Sequence, residues 1–262
     1  MCARFDLNQK VQKDFLDSVY KEAKELHEKV NGGKANDDIV REEDIVLIDC
    51  WAGVMAERLC LHLLNRAFDK KVAIRPPAVS PVNQIDIQVN AAEGMGKTLE
   101  VRSSFPRNGI QFALFRTDEK GVQYFDAIGP YHNTGHKQQE ESIKDFYMRI
   151  LFPVDKNEAE AYFRQDTFSV YVTGGATGGM MSDESLYRIK ALSAKDMVGA
   201  KCENGGKAEY RTIPLAQSLD IREFLQLFAV KTGFSLSEVC QEGMKKAIPP
   251  EVWKDLEKNG DQ

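Results

Sequence analysis

The spacing of apolar positions changes along the chain, and that change predicts its organisation. Val11, Phe15, Val19, Ala23 and Leu26 recur three or four residues apart among Lys and Glu, which predicts a charged amphipathic helix over 6–30, ended by Gly32-Gly33. A polar linker, Lys34 to Asp44, leads to a second helix over 51–68. Its broad apolar face is Ala52, Ala56, Leu59, Cys60, Leu63, Leu64 and Ala67, with Asp49 or Cys50 near the cap. The stretch Lys70 to Val82 is basic and then proline-rich at Pro76, Pro77 and Pro81, which favours extended backbone.

Beyond it the period becomes two. Ile85, Ile87 and Val89 alternate with Asp86 and Gln88, Leu99 and Val101 with Glu100 and Arg102, and Ile110, Phe112 and Leu114 with Gln111 and Ala113, so three consecutive strands are expected. A loop over 129–135 and a polar helix over 138–143 follow, then apolar strands over 146–154 and 168–173. The glycine-dense run Gly174 to Gly179 reads as a mobile connection. After Leu219 the pattern is helical: 221–231 is stopped by Gly233, a capping box from Ser235 to Glu238 opens another helix, and Pro249-Pro250 starts a last one. The expected domains are an N-terminal helix and linker (1–44), a core (45–200) and a C-terminal helical region packed on it (201–262).

Composition narrows the class. The 262 residues are 42% hydrophobic and 29% charged, as in an ordinary globular chain. The longest apolar stretch, 45–56, carries Asp49 and is too short to cross a bilayer, so no membrane partner is expected. Five cysteines without C-x-x-C spacing point to free thiols, and with no secretory pattern near Cys2 and Asp6 the expected location is cytoplasmic. A net charge of −5 argues against coating nucleic acid by bulk charge, so a nucleic-acid partner needs a local basic surface. Residues 97–116 supply one: Lys97, Arg102, Arg107 and Arg116 against Glu100 alone give +3.

The chemistry concentrates in the first expected hairpin. If the strands around Asp86 and Glu100 pair antiparallel with residue numbers summing to 186, Ile87 faces Leu99 on the buried side. Asp86 then faces Glu100 on the other side, with Gln84 opposite Arg102. Directly opposed carboxylates would have Cβ atoms roughly 4.5–5.5 Å apart and repel, so a cation should compensate. Arg102 on the same face is one candidate, and a hard divalent ion such as Mg²⁺ is the other. Carboxylate-bound Mg²⁺ beside a fixed cation suits phosphodiester hydrolysis: the ion lowers the pKa of bound water and offsets charge on phosphate oxygens.

Asp86, a thirteen-residue gap and Glu100-Val101-Arg102-Ser103-Ser104 resemble the catalytic signature of the PD-(D/E)XK nuclease superfamily, with Arg102 where lysine usually stands and Ile85 in the proline position. The resemblance implies an α/β (α+β) fold with a restriction-endonuclease-like αβββαβ core over about 50–173, a mixed central sheet and flanking N- and C-terminal helices. It implies a DNA endonuclease of restriction or host-defence type. Asp86 and Glu100 would hold Mg²⁺ (or Mn²⁺), with Glu57 of the preceding helix as a further ligand. Arg102 would join Asp86 and Glu100 in catalysis, and Lys97, Ser103, Ser104 and Arg107 would contact DNA. A homodimer would let two such sites cut both strands. Arginine stays protonated and presents a planar fork, so the alternative is a noncatalytic nucleic-acid-binding or regulatory module with a degenerate nuclease fold.

Other motifs read more simply. Ala91 to Thr98 matches a relaxed phosphate loop, but Pro106 leaves no room for the helix that a P-loop NTPase needs. His132 and His136 fall in the expected loop, and Cys60 with His62 point apart on a helix.

Overall fold

The computed structural model describes residues 2–29, 43–76, 85–90, 96–105, 126–133, 141–191, 209–214 and 217–245. Within them the chain is a mixed α/β protein in three layers: helices, a six-stranded mixed sheet, and a second sheet of three strands.

The N-terminus departs from expectation. Ala3–Asn8 is a strand (β1), and the first helix, Lys13–Lys29 (α1), starts later than the helix expected from residue 6. Ala3 and Leu7 are buried, a period-two signal that the helical pattern further on obscures. Asn8 makes the turn between them: its side-chain oxygen accepts from the Lys10 and Val11 N–H groups, at 2.9 and 3.1 Å. Val11, expected on the apolar face, is consequently 66% exposed, while Leu16, Val19 and Ala23 are buried.

The second helix, Glu43–Ala67 (α2), begins eight residues before the expected start, so Asp49 and Cys50 lie inside it rather than at its cap. Asp49 is accommodated by an ion pair with Lys156, at 2.5 Å. The central strands are Ala73–Ile74 (β2), Ile87–Val89 (β3), Lys97–Ser104 (β4), Phe146–Leu151 (β6) and Thr167–Thr177 (β7), and the sheet order is β1-β7-β6-β4-β3-β2. Only β4 and β6 pair parallel. One face of this sheet buries Ile87, Leu99, Phe146, Ile150 and Val170 against α1, α2, the short helix Ala159–Phe163 (α3) and the helix Ile221–Thr232 (α5), in one continuous core.

The opposite face is covered by the second sheet. Asp126–Asn133 (β5), Arg188–Ala191 (β8) and Glu209–Pro214 (β9) pair in the order β5-β9-β8, and Ala127 and Ile213 close over Tyr147 and Ala176. The loop expected at 129–135 is therefore strand through Asn133, with register shifts around Gly129 and Pro130. Strand β9 lies in the segment from 201 expected to be helical. Glu141 to Ile143, the described end of the helix expected over 138–143, is irregular. Its hydrogen bonds go elsewhere, since the Glu141 N–H donates to the Tyr131 carbonyl at 3.1 Å.

The glycine run is not a mobile connection. Gly174 to Thr177 belong to β7 and Gly178 opens a short helix, Gly178–Ser182 (α4), with all but Gly179 of the run buried. Gly174 sits at φ 99°, and a Cβ on Gly175 would overlap the Tyr147 carbonyl oxygen. These glycines let β6, β7 and the 219–221 segment approach backbone to backbone, with Gly175 and Leu219 exchanging N–H···O bonds of 2.9 and 2.8 Å.

At the C-terminus α5 ends at Gly233 (φ 72°) as expected, and Asp220 with Glu223 forms its capping box. The next helix, Glu238–Lys245 (α6), is capped by Ser237 rather than by the expected Ser235, through a 3.3 Å bond from the Cys240 N–H. No helix among the described residues is long and apolar enough to cross a membrane. The strand expected at 110–114, Gly32-Gly33, the linker over 34–42, Ala91–Met95, Arg107, Arg116, His136 and Pro249-Pro250 lie outside the described residues.

Candidate functional site

The hairpin forms in the register that side-chain parity demands. Ile87 pairs with Leu99, Gln88 with Thr98 and Val89 with Lys97, so every pair sums to 186. Ile87, Val89 and Leu99 are fully buried against α2, which puts Glu100 and Arg102 on the other face. The ladder stops at Ile87. Asp86 follows the pairing no further; its Oδ2 accepts the Val101 backbone N–H at 2.8 Å. A carboxylate thus occupies the position where another strand carbonyl would otherwise satisfy Val101.

The acid face is enclosed, unlike the open strand face that alternation alone describes. Glu100 is only 9% exposed, because β5 and β9 lie above it. Its Oε1 pairs with Arg102 Nη2 at 2.6 Å, and the same guanidinium nitrogen reaches Glu141 Oε2 at 3.2 Å. The Arg102 guanidinium lies 5.4 Å from the Tyr131 ring centre and 5.8 Å from that of Tyr210, on the second sheet. Glu141 also accepts the Tyr131 N–H at 3.1 Å, tying the segment before β6 to β5. Arg102 therefore joins the two sheets.

The proton affinities follow from this enclosure. Burial, reinforced by Glu141 and Asp86 and opposed by Arg102, pushes the Glu100 carboxyl up to about 7. Burial also raises Asp86, against the Val101 N–H and the Arg102 charge. On α2, burial and then Asp86 push Glu57 up to about 7, although Arg75 pairs with it at 2.7 Å. Burial works against the Arg102 charge, but Glu100 and Glu141 outweigh it and keep the group cationic.

Asp86 is thus held within electrostatic reach of both Glu57 and Glu100, and Glu100 Oε2 is buried with no hydrogen-bond partner among the described residues. An oxygen left so is a donor to a hard cation, and the all-carboxylate set suits Mg²⁺. Glu57 is engaged with Arg75, and among the described residues no three acidic, His or Cys side chains form a ready-made metal centre.

The expected DNA contacts are dispersed. Lys97 opens β4 and pairs with Asp145 at 3.2 Å, while Asp145 also accepts from the Thr98 N–H and hydroxyl at 2.9 and 3.1 Å. Burial works to raise the Asp145 carboxyl, but these bonds outweigh it and hold it below the ordinary range. Ser104 shares the alternation of Glu100 and Arg102, whereas Ser103 falls on the opposite face; both are half-buried. His132 lies in β5 as a strand residue. Sequence reasoning missed Glu141, Tyr131, Tyr210 and Arg75. Glu141 and Arg75 carried a signal, as charges in a polar and a basic run, and nothing local tells which charge each meets.

Comparison of the chain with protein-family models, with curated proteins and with solved structures finds no match.

Proposed function

We propose that this chain is a metal-dependent DNA endonuclease of the PD-(D/E)XK type, acting in the cytoplasm in restriction or host defence. The observation that carries this reading is the hairpin register, which sets Asp86 and Glu100 at one end of β3–β4 beside Arg102, with Glu100 Oε2 buried and unbonded among the described residues. The succession of α2, the β3–β4 hairpin, parallel β6 and antiparallel β7 supports a restriction-endonuclease-like core.

In this reading Asp86 and Glu100 would hold Mg²⁺ or Mn²⁺, with Glu57 joining them only by leaving Arg75. Bound there, the ion would supply an activated water and offset charge on the phosphate oxygens. Arg102 would orient the Glu100 carboxylate through Oε1, leaving Oε2 without a partner among the described residues. Because Arg102 is already shared between Glu100 and Glu141, it acts on phosphate only through the field it creates.

That double engagement favours a second reading, a noncatalytic nucleic-acid-binding module in which the acid cluster is a structural joint between the sheets. Supercoiled plasmid incubated with the protein in Mg²⁺, Mn²⁺ or EDTA, beside Glu100→Ala and Asp86→Ala, decides between them. Cleavage should be lost in EDTA and in both variants, with circular dichroism showing them folded. A double variant that still cuts refutes the site, and wild-type protein that shifts DNA without cutting it establishes the second reading.

A further inference from the structure

A polar concavity opens next to the acid cluster, with a volume of about 430 Å³. Three elements each contribute a lysine: Lys97 from the start of β4, Lys144 from the segment before β6, and Lys231 from the last turn of α5. Asp145, the acid that lines it, is committed to Lys97 and Thr98, so the lining carries a net charge of +2.

Lys144 is the informative member. It is only 8% exposed, and the hydrogen bond its ammonium makes is to the Ser142 hydroxyl, a long 3.4 Å contact with a neutral oxygen. An ammonium taken out of water costs several kcal/mol unless an anion faces it closely. No carboxylate among the described residues comes within ion-pair distance of it, although its charge acts on Asp86 and Glu100 from farther off. Its backbone is fixed from two sides: its N–H donates to the Tyr147 hydroxyl at 2.7 Å, and a Cβ on Gly178 would overlap its carbonyl oxygen. The glycine therefore admits close approach at the point where the Lys144 backbone lines the cleft. Lys231 is exposed, so the cleft is reachable from solvent.

We infer that this cleft binds a phosphate of a nucleic-acid strand, with Lys144 as the buried contact and Lys97 and Lys231 as the outer ones. The inference rests on the proposed nuclease reading in one respect: the strand it holds is the one presented to Asp86 and Glu100. The volume exceeds that of a single phosphate and admits a nucleotide-sized group. Three lysines acting as point charges suit a phosphodiester backbone, whose contacts are independent of base sequence.

The test is fluorescence anisotropy with a fluorescein-labelled duplex oligonucleotide in EDTA, so that no cleavage occurs, across about 50–200 mM salt. Wild-type protein is compared with Lys231→Gln and Lys144→Met. Losing one phosphate contact lowers the slope of log affinity against log salt by about 0.9 and weakens binding about eightfold at 0.1 M salt. Lys231 is exposed, so its variant keeps the reading independent of any folding defect in the Lys144 variant. Wild-type and Lys231→Gln curves that superimpose at every salt concentration overturn the cleft, whatever the plasmid assay shows. A Lys231-dependent slope in a protein that never cuts plasmid keeps the cleft and removes the nuclease reading. Inorganic pyrophosphate and a mononucleotide are run as separate titrants. Binding of either, with no binding of the duplex, assigns the cleft to free phosphates and overturns the strand.

Discussion

Replacing Glu100 by glutamine should make the protein more stable above neutral pH. Glutamine keeps the side-chain shape and removes a charge that the enclosed face tolerates badly. Burial and neighbouring acids carry the Glu100 carboxyl from 4.5 up to about 7. The folded state therefore still holds a proton at pH values where the unfolded chain has released it, so stability falls as pH rises from about 4.5 to about 7 and is level above that. Each pKa step is worth about 1.4 kcal/mol, which makes the penalty roughly 3 kcal/mol at pH near 8. Glutamine mimics the protonated form, so Glu100→Gln should match wild type near pH 4.5 and exceed it by roughly 3 kcal/mol near pH 8, about 6–12 °C in melting temperature. Urea denaturation at the two pH values reads both numbers. If Glu100 holds Mg²⁺ as proposed, the metal added near pH 8 stabilises wild type and leaves the variant unmoved, since glutamine lacks the carboxylate. A Glu100→Gln protein less stable than wild type near pH 8 would refute the argument: the ion pair with Arg102 would then outweigh desolvation, and the acid face would be a structural joint.

Two further expectations follow from the same packing. Arg102→Ala leaves the buried Glu100 and the half-buried Glu141 with no shared cation and should cost about 3–5 kcal/mol in chemical denaturation; a loss below about 1 kcal/mol would mean that water reaches the face. Gly175→Ala drives a methyl into the Tyr147 carbonyl and must separate β6 from β7, so it should lose near-ultraviolet circular dichroism or melt far below wild type, and a melt within about 2 °C of wild type contradicts the close approach.

The hairpin was legible because parity is a strong constraint. With Ile87, Val89 and Leu99 buried, a one-residue slip would bury Asp86 and Glu100 against α2, so the register follows from alternation alone. The helices α1, α2 and α5 were legible from their apolar periodicity; the bounds of α5 agreed with the pattern, whereas the starts of α1 and α2 did not. Asp49 sits inside α2 because Lys156, more than a hundred residues away, neutralises it. The second sheet was hidden. Strand β8 is four residues long, and β5 carries Gly129 and Pro130, whose local signal is a turn. The glycine run misled in the opposite sense. Glycine marks both flexible chain and close backbone approach, and only the positions of Tyr147 and Leu219 distinguish them.

The hidden sheet changes what the acid face is. An open hairpin face would leave Asp86 and Glu100 solvated, with ordinary carboxyl affinities and little reason to recruit a cation. Covering it with Tyr131 and Tyr210 removes the water, makes the carboxylates costly neighbours, and turns Arg102 from a surface charge into the link between two layers. Arg102 neutralises only part of that cost, since it is divided between Glu100 and Glu141 and Glu100 Oε2 is unbonded among the described residues. A face built for stability alone would replace Glu100 with an apolar or neutral residue that packs equally well. Under the proposed nuclease reading, the retained charge is the stability cost of engaging a cation, and the pH and Mg²⁺ dependence of Glu100→Gln measures that cost directly.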